Sequence, residues 1–453
     1  VLLNSISTNG LTSQTARVSA GYSLLGAAVQ HAIQSSANHP VWPATLNLCA
    51  LPPSNRHHRA IARHLDKNNM RPLRFLIIST SLVGLLHYYI GTRLLNQVPW
   101  PAAVYGAGWA LLALSAFLQP VALLARGFRN GWLRDTVSWV AMTVMGLFSS
   151  LLVFTILRDL LLLVAAGIHA MQPMAIDFNA LEKNSALLVL AATLLITVAG
   201  FIQARKLAKV VNVTVPLRHL PKSLHGFRIV QISDIHVGPT IKQGYLSRIV
   251  QQVNSLEADL VAITGDLVDG RVHELSQHTL PLAGLNARHG SFFVTGNHEY
   301  YSGALDWIRE LDRLGVRVLL NEHVQLTHDG ATLVVAGVTD YSAGSFYHDH
   351  QSDPRAAIAG APSDAPKILL AHQPRSAEAA ESAGFDLQLS GHTHGGQFWP
   401  WKYFVPLQQP YVAGLHKLQD LWVYVSRGTG YWGPPIRFGA PSEITCLTLV
   451  PLD

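Results

Sequence analysis

Seven side chains in the second half of this 453-residue chain could hold metal ions: Asp234, His236, Asp266, Asn297, His372, His392 and His394. Two carboxylates, four imidazoles and one amide oxygen make a mixed nitrogen and oxygen set that suits manganese, iron, zinc or a similar divalent ion. Seven ligands exceed the needs of one ion. Two ions about 3.5–4 Å apart, bridged by one carboxylate, would use them all. The pairs Asp234-x-His236 and His392-x-His394 fit this use, because a spacing of two puts both side chains on one side of an extended backbone.

Each ligand follows a short apolar run. Segments 228–232, 260–264, 292–295, 367–371 and 387–390 lead respectively to Asp234, Asp266, Asn297, His372 and His392. Runs of this length between glycines and polar turns read as buried strands. Segments 243–256 and 304–314 have apolar positions at helical spacing, and 332–338 reads as a further strand, which together predict an α/β sheet. Ligands bind at the carboxyl ends of strands in such sheets, so the five turns are expected to share one rim. Gly265, Gly296, Gly391, Gly395 and Gly396 allow tight turns and close backbone approach there.

In chain order, Asp234-Ile235-His236, Gly265-Asp266, Gly296-Asn297-His298-Glu299, the lone His372 and Gly391-His392-Thr393-His394 resemble the five motif blocks of the calcineurin-like metallophosphoesterases. The resemblance covers 213–453. Ser426-Arg427-Gly428, followed by Pro435-Ile436-Arg437-Phe438-Gly439, looks like the ending of the family's bacterial membrane-associated branch. The fold it implies is an α/β metallophosphoesterase-type β-sandwich flanked by helices. It also implies roles: Asp234, His236 and His394 on a first ion, Asn297, His372 and His392 on a second, and Asp266 between them. A water between two such ions supplies hydroxide near neutral pH for in-line attack on phosphorus. His298, beside ligand Asn297, is then the donor to the leaving oxygen or the phosphoryl group. Glu299 and Asp269 are candidates for orienting ligands or for capping and surface roles.

Charge is unevenly distributed. The formal balance is +4 over 1–69 and +7 over 70–212, but 213–453 carries 17 Lys and Arg against 22 Asp and Glu. The basic pI of about 9.3 therefore does not belong to the part with the ligands, and a nuclease or other nucleic-acid-binding role, which needs a basic face, is not expected. Only Cys49 and Cys446 occur, so no disulfide framework is implied and Cys446 reads as an ordinary strand residue.

Four apolar stretches, 75–91, 102–124, 137–168 and 186–203, approach or exceed the ~20 residues of a bilayer-spanning helix. They predict a four-helix transmembrane unit over 70–212 in front of a catalytic domain at 213–453. Arg71, Arg74, Arg126, Arg129, Arg134, Arg205, Lys206 and Lys209 fall on one side of it, and only Arg93 and Lys183 on the other, so the positive-inside rule puts the catalytic domain in the cytoplasm. Trp100 and Trp132 lie near helix ends, as interfacial anchors do. Arg158-Asp159 inside the third stretch must face the bundle interior or mark an interface. Residues 1–69 lack periodicity and precede Met70, whose flanking Arg71 and Arg74 resemble a membrane-insertion start; they are expected to be disordered or a non-native upstream extension.

The function expected from these observations is a membrane-anchored hydrolase of a phosphomonoester, phosphodiester or pyrophosphate, with a lipid-linked substrate as one candidate because the tether concentrates the domain at the bilayer. A membrane-bound interaction or sensor protein with a non-catalytic phosphoesterase domain is the alternative; it predicts missing ligands, and all seven are present. Two further segments stand out. Residues 398–404, Phe-Trp-Pro-Trp-Lys-Tyr-Phe, follow the last ligands directly and either grip an apolar substrate, dip into the membrane interface or pack over a sheet. Segment 342–365, with His348 and His350, reads as a surface excursion outside the metal set.

Overall fold

The computed structural model describes residues 77–125, 130–172 and 176–452. The expected extension 1–69 with Cys49, the start at Met70, and Arg71, Arg74, Arg126 and Arg129 of the orienting set lie outside the described residues. Two compact units divide the chain, 1–83 and 84–453, and the contacts below belong to the second.

Four helices come first: α1 over 77–94, α2 Ala102–Ala125, α3 Gly131–Met171 and α4 Phe178–Arg205. Three helices among the described residues, α2 over Ala102–Val121, α3 and α4, are long and apolar enough to cross a membrane. Helix α1, expected as a fourth span, is not among them; His87 and Arg93 dilute its apolar run, and the beginning of that span, 75–76, is not described. Large apolar side chains such as Leu161, Leu163, Leu188 and Leu195 point outward from α3 and α4, which water would penalise and lipid would not. Arg158 turns inward. Its guanidinium binds Asp159 at 2.9 Å, Ser185 Oγ at 2.9 Å and the Glu182 carbonyl at 2.9 Å, while Asp159 also accepts from Arg93 at 2.7 Å and Tyr89 at 2.7 Å. The pair is thus satisfied inside the bundle, as a polar cluster at this depth must be.

With 41 residues at 1.5 Å each, α3 is about 60 Å long, twice a bilayer's ~30 Å hydrocarbon thickness. Its first half docks on helices and a loop of the domain that follows. Arg134 pairs with Glu274, Asp135 binds Lys242 at 2.8 Å, and the 434–438 loop wedges between α3 and α4. Glycine is required at that wedge: a Cβ on Gly146 would sit 2.4 Å from Ile436 Cδ1, and one on Gly200 2.4 Å from Ile436 Cγ2. The Arg437 N–H donates to the Gly200 carbonyl at 2.9 Å in the same place.

The rest of the chain runs β1 Lys209–Leu217, β2 Arg228–Ile232, α5 Gln243–Asn254, β3 Leu260–Ile263, α6 Val272–Thr279, β4 Ser291–Phe293, α7 Asn297–Ser302, α8 Ala304–Arg313 and β5 Arg317–Val318. Then come β6 Glu322–His328, β7 Ala331–Gly337, β8 Lys367–Leu370, α9 Ala377–Ala383, β9 Leu387–Ser390, β10 Gly414–Leu418, β11 Leu421–Val425 and β12 Glu443–Pro451. One sheet has the order β1-β12-β2-β3-β4-β5, the other β10-β11-β9-β8-β7-β6. The ligand-bearing strands are parallel neighbours, β2-β3-β4 in the first and β8-β9 in the second, with registers such as Val230↔Val261 and Ile368↔Leu387. The five turns therefore come from two sheets and not one. They meet because the sheets stack with those strand ends on the same edge.

The apolar runs are continuous because both faces of each sheet are covered. Ile229, Leu260 and Phe292 face Val335, Ile368 and Leu387 in a core between the sheets. Their neighbours Val230, Val261 and Phe293 point the other way, against Leu246, Ile249 and Val253 of α5 and Trp307 and Leu311 of α8. Helix α9 covers the outer face of the second sheet through Ala377 and Ala380. Cys446 is a free, buried residue of β12 opposite Val230. First strand β1 begins at Lys209, four residues before position 213, and Lys209 pairs in register with Glu443.

Candidate metal centre

The five turns place all seven expected ligands at one edge of the sandwich. Their carboxylates and imidazoles gather into three groups whose ligand atoms lie within 4.8 Å of one another: Asp234, His236 and His394; His236, Asp266 and His298; and Asp266, His372 and His392. Asp266 belongs to two of these groups, the position a shared carboxylate needs. In two places imidazole nitrogens face each other at 3.1 Å, His236 Nε2 with His394 Nε2 and His392 Nδ1 with His372 Nε2. Two nitrogens about 2.1 Å from one ion keep that separation at close to a right angle. Asn297 Oδ1 is buried and has no hydrogen-bond partner, an orphaned acceptor aimed at the same edge. Buried polar atoms are nearly always satisfied, so the donor set fits divalent cations on an observation independent of the histidines.

Backbone conformation concentrates here as well. Asp234, His236, Asp266, His392 and His394 all have φ between 50° and 71°, in the left-handed region that non-glycine residues avoid. Such residues cost on the order of 1–3 kcal/mol each and persist where their surroundings over-determine them. The surroundings are main-chain bonds between turns: Asp234 N to Gly265 O at 3.0 Å, and His236 N to Asp266 O at 3.1 Å. Gly391 permits the closest approach, since a Cβ there would lie 2.0 Å from Ser233 Oγ and 2.2 Å from Asp234 Oδ2. The Asp234 carboxylate accepts instead from the His392 N–H at 2.9 Å.

Neighbouring groups orient the ligands. His372 Nδ1–H donates to the Thr264 carbonyl at 2.8 Å, which leaves Nε2, 3.2 Å from Asp266 Oδ2, as its coordinating atom. Glu299, fully buried at the third position of α7, accepts from the main-chain N–H groups of Asp266 at 3.0 Å, Leu267 at 2.8 Å and Gly296 at 2.7 Å. It therefore caps α7 and fixes the Asp266 turn at once, where the sequence left these roles as alternatives. Asp269 holds His298 Nδ1 at 2.5 Å and lies 3.3 Å from His236 Nδ1. Burial alone would lower the His298 pKa, but the carboxylates of Asp266 and Asp269 outweigh it and lift the imidazole to about 9. Burial and the nearby His372 push His392 the other way, to about 3, the neutral form a ligand requires.

One residue at the site went unassigned in the sequence. Arg437 is fully buried; its Nη1 donates to the carbonyls of Arg427 at 2.7 Å and His394 at 3.0 Å, and its Nη2 donates to the Gly430 carbonyl at 2.5 Å and lies 3.0 Å from His394 Nδ1. Burial lowers its pKa to about 10, still charged at neutral pH. A lone arginine in an apolar Pro- and Gly-rich loop with no acid beside it was the available signal. His348 and His350 stay outside the three groups; His348 is exposed and His350 Nδ1 accepts from Tyr300 Oη at 2.8 Å.

A sandwich that gathers carboxylates and imidazoles at the ends of parallel strands defines a metal-binding hydrolase site in class. The family model for calcineurin-like phosphoesterases matches residues 227–396, which contain all seven expected ligands. A metallophosphoesterase of Campylobacter jejuni is 32% identical over 383 residues, covering 83% of this chain and 98% of that one. The chain belongs to the calcineurin-like metallophosphoesterase family. A Danio rerio relative described as a transmembrane protein with a metallophosphoesterase domain is 40% identical over 270 residues, 58% of this chain and 62% of its own length. The chain thus spans less than two thirds of that relative. Among solved structures, a dimetal phosphatase from Danio rerio matches with a TM-score of 0.33 and 12% identity over 49% of this chain and 99% of its own.

Proposed function

We propose that this chain is a membrane-anchored phosphoester hydrolase whose centre takes two divalent ions, one on Asp234, His236 and His394, the other on Asn297, His372 and His392, with Asp266 shared. The observation that carries this reading is the pair of facing imidazole contacts on either side of Asp266, together with the orphaned Asn297 oxygen. When bound, such ions supply Lewis-acid stabilisation of phosphoryl oxygens and a water of lowered pKa. The chain's own residues do the rest. His298 Nδ1 is held by Asp269, which directs its second nitrogen, 3.9 Å from Asp266 Oδ2, toward the same edge. Protonated below about 9, that nitrogen carries a proton at neutral pH and delivers it to the leaving oxygen. The Trp432 ring stands edge-on to His298 with centroids 5.9 Å apart and forms one wall beside it.

A phosphomonoester, a phosphodiester and a pyrophosphate all meet these requirements, and the tether beside a bilayer favours a lipid-linked one. The domain sits on the cytoplasmic side of a cell inner membrane in this reading, since Arg134 and Arg205, on the side rich in basic residues, are also on the side where α3 meets the catalytic domain. Purified chain loaded with manganese, iron or zinc should hydrolyse an aryl phosphate ester, and Asp266→Asn should abolish this and lower the bound metal. An active Asp266→Asn variant that retains two equivalents of metal would overturn the assignment. A reporter fused at Asp453 and active only outside the cytoplasm would overturn the orientation.

A further inference from the structure

Residues 398–407 do not pack over a sheet. At one end they lie on the turn that bears His394: a Cβ on Gly396 would be 2.3 Å from the Lys402 backbone. At the other end they reach α3. The Trp399 ring stacks on Phe154 with centroids 5.4 Å apart, and Trp401 Nε1 donates to Ser149 Oγ at 3.1 Å. Both contacts fall within the part of the chain long and apolar enough to cross a membrane, so the loop is held at the depth where α3 runs in the bilayer or enters it.

What this loop shows to its surroundings is apolar. Trp401 is 41% exposed, Tyr403 64%, Phe404 52% and Leu407 72%, and beside them Trp432 is 51% exposed. Isolated apolar residues on a surface are ordinary, but a contiguous group of large ones marks a binding face. Tyrosine and tryptophan are the side chains that favour the headgroup level of a membrane. The only charge in the loop is the cation Lys402, and no Asp or Glu occurs between Asp386 and Asp420, so nothing in it repels a phosphate. Trp432 links the loop's start to the site: its main chain bonds the side chain of Gln397, the residue before the loop, at 2.8 and 2.9 Å, and its ring stands edge-on to His298.

We propose that the 398–407 loop is a lipid-binding shelf, seated in the bilayer interface beside α3, on which the chains of a membrane phospholipid-type amphiphile lie while its phosphate reaches the metal-binding edge past Trp432. This deepens the phosphoesterase reading and rests on it for the fate of the phosphate, but the shelf itself stands on the loop and helix contacts alone. It names the substrate source as the bilayer and the entry as lateral.

The test uses the full chain in nanodiscs with Cys49→Ser and a single environment-sensitive label at Tyr403→Cys or, as a control in the exposed β6–β7 turn at the sandwich edge opposite the ligand turns, at Asp329→Cys. Brominated phosphatidylcholine should quench the label at 403 several-fold more than the label at 329; equal quenching overturns the shelf. A second variant, Tyr403→Ser with Phe404→Ser and Leu407→Ser, removes exposed side chains only and should keep its rate on soluble p-nitrophenyl phosphate esters. Its rate on phosphatidic acid in nanodiscs should fall by roughly tenfold or more, the effect of one well-buried apolar side chain at minimum. A parallel loss on both substrates, or no loss on the lipid, also overturns the proposal. Failure of the unaltered chain to cleave either ester refutes the phosphoesterase reading while the quenching arm still decides the shelf.

Discussion

Glu299→Gln discriminates sharply between two states of the carboxyl group that fixes the Asp266 turn. Burial and the Asp266 charge push Glu299 up to about 8, whereas its partners, the N–H groups of Asp266, Leu267 and Gly296, are donors all and favour a carboxylate. If the group is a protonated acid, glutamine is its near-isostere and the change is almost neutral. If it is a carboxylate, one amide NH2 must face either the Leu267 N–H or the pair from Asp266 and Gly296. At least one main-chain donor and the new NH2 are then left without acceptors in a fully buried position. Each costs about 1–3 kcal/mol, so the loss is on the order of 2–6 kcal/mol. At ~2–4 °C per kcal/mol for a domain of this size, calorimetry should show Tm lowered by roughly 5–20 °C. The metal affinity should fall with it, because Asp266 is the residue being held. An unchanged Tm and an unchanged metal titration would refute the argument that the Asp266 turn and the start of α7 depend on an ionised Glu299.

Replacing His298 by Ala should leave both metal equivalents in place and reduce turnover by roughly 10²–10⁴, less for nitrophenolate than for alkoxide leaving groups; an equal loss for both would show that His298 acts on the phosphoryl oxygens instead. Asp269→Asn removes one of the two anions that raise His298, so the basic limb of the pH–rate profile should move to lower pH, and a fixed limb would separate it from His298. Gly200→Val places a side chain where a Cβ alone meets Ile436 at 2.4 Å, with the Arg437 carbonyl at 3.4 Å behind it. Overpacking of this kind costs about 1–3 kcal/mol, and because Arg437 is displaced with Ile436 the metal affinity should drop although the substitution lies in a membrane helix. Unaltered metal binding in a folded Gly200→Val chain would show that the wedge does not reach His394.

Much of the site was legible because its ligands are local events. A strand followed by Asp-x-His, or by Gly-Asn-His-Glu, carries its chemistry within a few residues, although the pairs Asp234/His236 and His392/His394 are set by left-handed turns and not by the extended backbone their spacing suggested. Strands β2, β3, β8 and β9 were readable for the same reason, since burial on both faces writes itself as an unbroken apolar run. Long uncharged stretches likewise announced α2, α3 and α4, whose cost in water is a matter of composition alone.

Other features depend on separations no local pattern encodes. That β8 and β9 belong to a second sheet follows from which faces exclude water together, and the 3.1 Å approach of His236 to His394 is made across 158 positions of chain. The docking of α3 along the catalytic domain, the glycines that admit Ile436 and the five carbonyl and imidazole contacts of Arg437 are likewise decided by packing between distant segments. Sequence determined which residues have metal-ligating chemistry at matching spacing and which stretches are apolar, because those are properties of residue type and order. Only the tertiary structure decided that the candidate metal-binding edge, the aromatic loop and the long apolar helices adjoin, because adjacency is set by how the buried faces fit.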